Sequence, residues 1–357
     1  MKKLNVAIIG QGRSGKDIHG AFLRSDKNEY FTVRYVVEFD ERRRRISEEI
    51  YEGCTALEDY TELFGKKDID LVVNASFSDM HFSLTKDLLD HGFNVLTEKP
   101  FAKTSFEAQA LIETAKKNGV LLASFHNSQV APYYIFAKKL IADGTLGDVK
   151  QVNVRFNGFA RRWDWQTLQK KCAGGTYNTG PHPIGLALGF LDFAEDARIV
   201  YSKLDCGLTS GDADDYAKIV LAAKDKPLVD IEITSLDAYS DYNLKLIGSR
   251  GTYKCTIADY KLTYIVDGEN PERPVIEHFL EDENGNPLYC SESLVKHVEE
   301  GKFEGTSFDL GTKGIYEDVY YALTERRPLR VSNEMAARVV GVMEAVVAAN
   351  PLPVKFI

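Results

Sequence analysis

The chain has 357 residues, longer than one hydrophobic core usually grows, so two domains are expected. Hydrophobic residues make up 44% and charged residues 27%, the balance of an ordinary globular protein. The net charge of −9 excludes a surface built for nucleic acid or anionic membrane as the leading expectation. Five scattered cysteines (Cys54, Cys172, Cys206, Cys255 and Cys290) with no C-x-x-C pair suit reduced thiols. No leader or bilayer-spanning run is legible, and a cytoplasmic location is expected.

Leu4–Ile9 reads as a buried strand. Gly10, Gly12 and Gly15 follow it as G-x-G-x-x-G, with a helix expected through Leu23. In that strand–turn–helix setting the motif binds a dinucleotide: Gly10 makes the turn, Gly12 admits the pyrophosphate and Gly15 lets helix and strand approach. Arg13 and Ser14 lie within the loop and count as candidate cofactor contacts. A second strand over 31–37 ends at Glu38, where a carboxylate accepts the adenosine ribose hydroxyls and repels a 2′-phosphate. NAD is therefore favoured over NADP, with Arg13 and Arg42 as the residues that oppose that preference. The Arg42–Arg45 run, with Asp40, Glu41, Glu48 and Glu49 around it, reads as a solvated helix face.

Helices over 41–51, 80–91 and 105–117 then alternate with strands over 69–75, 93–97 and 120–124. This alternation predicts a doubly wound parallel sheet whose ligands lie beyond the carboxyl ends of the strands. Ser76, His81 and Glu98-Lys99-Pro100 all fall on that edge with the glycine loop and Glu38. A dinucleotide-binding Rossmann domain over residues 1–124 follows, and residues 125–357 form a second α/β domain for substrate and oligomerisation, with the C-terminal helices free to pack back on the first.

In the second half, 132–143 reads as a helix and 149–156 as a strand. Arg161, Arg162, Trp163, Asp164 and Trp165 come next, bringing both tryptophans of the chain beside hydrogen-bonding charges. Flat apolar faces with such neighbours suit a sugar ring, and equally a loop anchored on the core. Pro181 starts a helix that holds His182 in its first turn, where the helix dipole favours a neutral imidazole. Strand-like runs between 199 and 266 without intervening helices predict an antiparallel sheet. Residues 281–286 read as an acidic surface turn, and helices are expected over 309–326 and 333–349. His278 and His297 read as surface groups, and no metal-ligand spacing is present.

Four segments of this chain resemble the Gfo/Idh/MocA family of nicotinamide-dependent oxidoreductases. They are the Gly10–Gly15 loop with His19, the 68–76 strand with His81, the stretch ending in Glu98-Lys99-Pro100, and Gly174 through Asn178 to His182. The resemblance implies a Rossmann domain followed by a large, mostly antiparallel open sheet that forms a dimer or tetramer interface. It implies that Lys99 contacts nicotinamide and the reacting hydroxyl, that the Lys99–Pro100 bond is cis, and that His182 is the second catalytic group. The family usually has aspartate where this chain has Asn178, which is expected to bind substrate with Arg161, Trp163, Asp164 and Trp165. The expected activity is hydride transfer between NAD and a hydroxyl or keto carbon of a sugar, glycoside or cyclitol. An NAD-dependent glycosidase using transient oxidation and a non-catalytic sugar or dinucleotide sensor are the alternatives.

Overall fold

The computed structural model describes residues 2–305 and 307–356, with the side chain of Ser307 left aside. Six parallel strands form the first sheet: β1 Leu4–Ile9, β2 Phe31–Val37, β3 Thr55–Leu57, β4 Leu71–Asn74, β5 Val95–Thr97 and β6 Leu122–Ser124, in the order β3-β2-β1-β4-β5-β6. The order reverses at β1 and β4, so the chain opens a crevice beyond their carboxyl ends. β4, β5 and β6 are buried along their whole length, as strands covered by helices on both faces must be. The covering helices are α1 Gly20–Leu23, α2 Glu41–Ile50, α3 His81–Asp90 and α4 Ser105–Asn118. α4 shows how local sequence sets an end: Thr104 and Glu107 form a reciprocal capping box, and Gly119 at φ +63° closes the helix in the left-handed region.

Between Gly12 and α1 the backbone winds as a wide helical turn over Arg13–His19 before tightening, in place of the single helix expected. Two short edge elements, β3 and β16 (below), had no periodic signal to announce them.

The second sheet has eight strands in the order β16-β13-β12-β11-β7-β10-β9-β8. They are β7 Val149–Asn157, β8 Arg198–Asp205, β9 Tyr216–Ala222, β10 Leu228–Thr234, β11 Leu244–Gly248, β12 Gly251–Cys255, β13 Asp259–Tyr264 and β16 His297–Lys302. It is antiparallel except that β10 runs parallel to β7. β14 Leu280–Glu281 and β15 Pro287–Leu288 pair around the acidic turn, where Asp282 accepts the amides of Asn284 and Asn286. His297 belongs to an edge strand, stacks on Tyr264 and pairs with Glu269 at 2.7 Å.

α5 Pro132–Ala142 and α6 Pro181–Phe190 pack beneath this sheet, each opened by a proline in its first turn. α7 Ser307–Glu325 and α8 Asn333–Ala349 then return to the first sheet. Ile315, Tyr316, Val319 and Tyr320 of α7 share one buried cluster with Phe22, Tyr30 and Phe31. The cysteines are unpaired, and no helix among the described residues is long and apolar enough to cross a membrane.

Candidate active site

A cavity of about 910 Å³ lies at the crevice, walled by the carboxyl ends of β1, β2, β4 and β5 and closed by Phe156 of β7, the 162–166 loop and the Asn178–His182 segment. Its two ends have different chemistry.

At one end the three glycines have three different reasons to be glycine. Gly10 stands at φ +89°, and an added Cβ would lie 2.6 Å from the carbonyl oxygen of Ala75. At Gly15 a Cβ would meet the Gly10 carbonyl oxygen at 1.8 Å. At Gly12 nothing of the protein lies within 4 Å, so the space is kept for something else. Arg13 and Ser14 line the same wall. Glu38 is buried at the tip of β2, where its carboxylate accepts the amides of Gln11 (2.7 Å) and Asp40 (3.1 Å) with Arg43 3.8 Å away. An open glycine turn beside a held carboxylate fits the pyrophosphate and ribose of a dinucleotide. Arg13 and Arg42 line an adjoining cavity of about 280 Å³ with Lys16 and Arg43.

The other end is built on Glu98-Lys99-Pro100, where the Lys99–Pro100 bond is cis. Glu98 is buried; burial pushes its pKa up, but His19, Lys99 and His81 pull it down to about 2, so the carboxylate is charged. One oxygen accepts the Lys99 amide at 2.9 Å and the other lies 3.3 Å from Nε2 of His19. His81 spans two loops, its Nδ1 on the Pro100 carbonyl (2.8 Å) and its Nε2 on the Ser76 carbonyl (3.2 Å). It holds the wall, while Ser76 bonds Asn74 at 2.7 Å and lines the cavity.

Lys99 reaches into the cavity and donates from Nζ to the backbone carbonyl of Asn178 at 2.9 Å. Burial lowers its pKa below that of a free lysine, against the pull of Glu98. Asn178 is presented by a wide turn over Gly175–Thr179. That turn is pinned by buried Asp214, whose Oδ2 accepts both the amide and the hydroxyl of Thr176 at 2.8 Å. Gly174, at φ +95°, leaves room for that carboxylate. His182 follows in the first turn of α6, its ring parallel to Phe156 and its Nδ1 3.2 Å from Ser128 Oγ. Burial, then the charge of Lys99, lowers its pKa to about 3, so the imidazole is neutral.

Trp165 lines the cavity, edge-on to Phe77 at 5.0 Å, and Asp164 joins it, paired with Arg162 at 2.6 Å. Arg161 and Trp163 are not among the lining residues, and Trp163 is 81% exposed. The remaining expected residues, Gly10, Gly12, Arg13, Ser14, Glu38, Ser76, His81, Glu98, Lys99, Asn178 and His182, come together on its walls, with Gly15 packed just behind. Arg162, Gln166, Phe77, Asn127 and Ser128 also line it without a motif to mark them. For Asn127 and Ser128 the available signal was position, since they follow the carboxyl end of β6. No cluster of metal-binding side chains occurs among the described residues.

A Rossmann sheet whose glycine turn and lysine-bearing loop open on one cavity with a second, β-rich domain defines an NAD(P)-binding oxidoreductase. Residues 4–126 match the model described as the oxidoreductase family with an NAD-binding Rossmann fold, and residues 134–254 match the GFO/IDH/MocA C-terminal domain. The chain belongs to the Gfo/Idh/MocA oxidoreductase family. It is 24% identical over 308 residues to 2,7-anhydro-N-acetylneuraminate hydratase of Mediterraneibacter gnavus, covering 85% of this chain and 80% of that protein. It is also 24% identical over 296 residues to glucose-6-phosphate 3-dehydrogenase of Bacillus subtilis, covering 79% and 82%. Among solved structures, GenD2 from gentamicin A biosynthesis in complex with NAD superposes with a TM-score of 0.77 at 22% identity, over 98% of this chain and 94% of that one.

Proposed function

We propose that this oxidoreductase uses NAD(H) to interconvert a hydroxyl and a keto carbon of a sugar, glycoside or cyclitol. The observation that carries the reading is that Lys99 and His182 both line the cavity whose other end holds the open glycine turn and Glu38. Nicotinamide, when bound, would supply the hydride chemistry. Gly10, Gly12, Arg13, Ser14 and Glu38 would hold the pyrophosphate and adenosine ribose of the dinucleotide, and Lys99 and His182 would fix the substrate oxygen and manage its proton. Trp165 and Phe77 offer apolar faces for a sugar ring, while Asp164, Arg162 and Asn178 offer hydrogen bonds to its hydroxyls. The sugar-modifying activities named for the two curated relatives support the choice of substrate class.

The test is a panel of sugars, glycosides and inositols with NAD and with NADP, followed by nicotinamide absorbance. Turnover of at least one polyol that collapses in Lys99→Ala, with dinucleotide affinity retained, is the expected result. Full turnover in Lys99→Ala, or none across the panel, would overturn the reading.

A further inference from the structure

Ser128 sits in the tight turn Asn127–Val130 just after β6, and it is 7% exposed. Its hydroxyl has one side-chain bond among the described residues, the 3.2 Å contact with His182 Nδ1. A serine hydroxyl donates one hydrogen bond, and His182 Nδ1 is the side-chain acceptor that faces it on the cavity wall. A ring nitrogen that accepts a proton bond carries no proton itself, which places the imidazole proton on the other nitrogen.

We propose that Ser128 is a positioning residue. Its hydroxyl donates to Nδ1 of His182 and fixes the Nε2–H tautomer, so His182 meets the substrate oxygen as a neutral donor and Lys99 is the group that exchanges the proton.

The surroundings of His182 fit this division. The charged or titratable groups that act on it are Lys99, His126 and Glu98. No carboxylate lies within bonding distance of its ring among the described residues, because Glu98 is turned towards His19 and the Lys99 amide. Position 178, where the family usually has an acid, engages the site through its backbone carbonyl on Lys99. Phe156 of β7 lies nearly parallel to the ring with its centroid 6.3 Å away, an apolar neighbour. With nothing to stabilise an imidazolium, the histidine is a hydrogen-bond donor to a developing negative oxygen. Lys99 faces Glu98, Arg13 and Arg162, and burial, joined by the charges of the two arginines, lowers its pKa below that of a free lysine against the pull of Glu98.

This assignment of roles rests on the oxidoreductase reading. In the oxidative direction a dinucleotide held by Gly10, Gly12, Arg13, Ser14 and Glu38 would take up the hydride released as the carbinol C–H bond breaks. The O–H proton passes to the neutral Lys99 amine, and the new carbonyl oxygen keeps the hydrogen bond from His182 Nε2–H. Reduction returns the proton from the Lys99 ammonium.

Nitrogen-15 NMR of histidine-labelled protein, free of dinucleotide, reads the tautomer directly, with His182→Gln assigning the signal. The expected spectrum shows the neutral Nε2–H form from pH 5 to pH 9 in wild type and in Ser128→Thr, and a mixture of tautomers in Ser128→Ala. In turnover, Ser128→Ala lowers kcat about tenfold with the dinucleotide KM unchanged, and Ser128→Thr restores it. Ser128→Asp supplies a charge at Nδ1, moves the proton there and adds a histidine limb to a kcat–pH profile that otherwise shows Lys99 alone. An Nδ1–H form in wild type, a His182 titration between pH 5 and pH 8, or wild-type spectra and kcat in Ser128→Ala would each overturn the proposal. The NMR result does not depend on any sugar being turned over, so its failure and that of the oxidoreductase reading are told apart.

Discussion

The Glu98 carboxylate lies 3.3 Å from His19 Nε2, both groups buried, across the gap between the glycine turn and the end of β5. On its far side His19 bonds through Nδ1 to the hydroxyl of Tyr316 in α7 at 2.9 Å. His19 thus turns Nε2 towards Glu98 and Nδ1 towards the Tyr316 hydroxyl. The glycine turn, the lysine loop and α7 are thereby joined through one imidazole. His19→Leu leaves the Glu98 charge buried and one partner short, and is expected to cost about 3–5 kcal/mol in urea unfolding. A loss below about 1 kcal/mol would show that the contact is incidental.

Two buried carboxyls should pull stability in opposite directions with pH. Glu98 is held down at about 2 against an ordinary 4.5, so its contribution is present above pH 4.5 and lost as pH falls from there towards 2. Burial pushes Asp214 up to about 6, so its contribution is present below its ordinary 3.8 and lost as pH rises through 6. Asp214→Asn keeps an acceptor for Thr176 and removes the ionisation. Relative to wild type, it is expected to gain on the order of 2 kcal/mol between pH 4 and pH 7.5, read from urea midpoints. Parallel curves for the two proteins would exclude an ionisable Asp214.

The glycine turn separates folding from binding. Gly15→Ala forces a Cβ onto the Gly10 carbonyl and is expected to lower the melting temperature by several degrees. Gly12→Ala meets no protein atom and should melt as wild type, yet lose dinucleotide affinity at least tenfold by calorimetry, on the order of 1.4 kcal/mol. Equal affinity in Gly12→Ala would mean that the dinucleotide does not approach this turn.

The two tryptophans should behave differently although they are two residues apart. Trp165→Ala removes a cavity wall and is expected to raise the sugar KM about tenfold, whereas Trp163→Ala, on the outer surface, should leave kinetics unchanged. The reverse outcome would move the sugar site outward along the 158–166 loop.

The Rossmann half and its ligand edge were legible because they rest on local pattern. A continuous apolar run must be a covered strand, a glycine triplet after it must be a turn, and Glu98-Lys99-Pro100 at a strand end must face the crevice. The helices and long strands of the second domain were legible for the same reason, and Asn333–Ala349 begins and ends where its cap and stop residues stand. Three- and six-residue edge strands such as β3 and β16 were not, since they borrow their pairing from neighbours and need little periodicity of their own. Nor could local pattern say that β10 runs parallel to β7, because strand direction is a property of the connections. Within the 158–166 loop, alternation does not tell which tryptophan turns inward; packing against Phe77 does. The pairing of Ser128 with His182 spans 54 residues and that of His19 with Tyr316 spans 297. Sequence supplied those hydroxyls and imidazoles, and only the closing of β6, α6 and α7 around the crevice gave each one its hydrogen-bond partner.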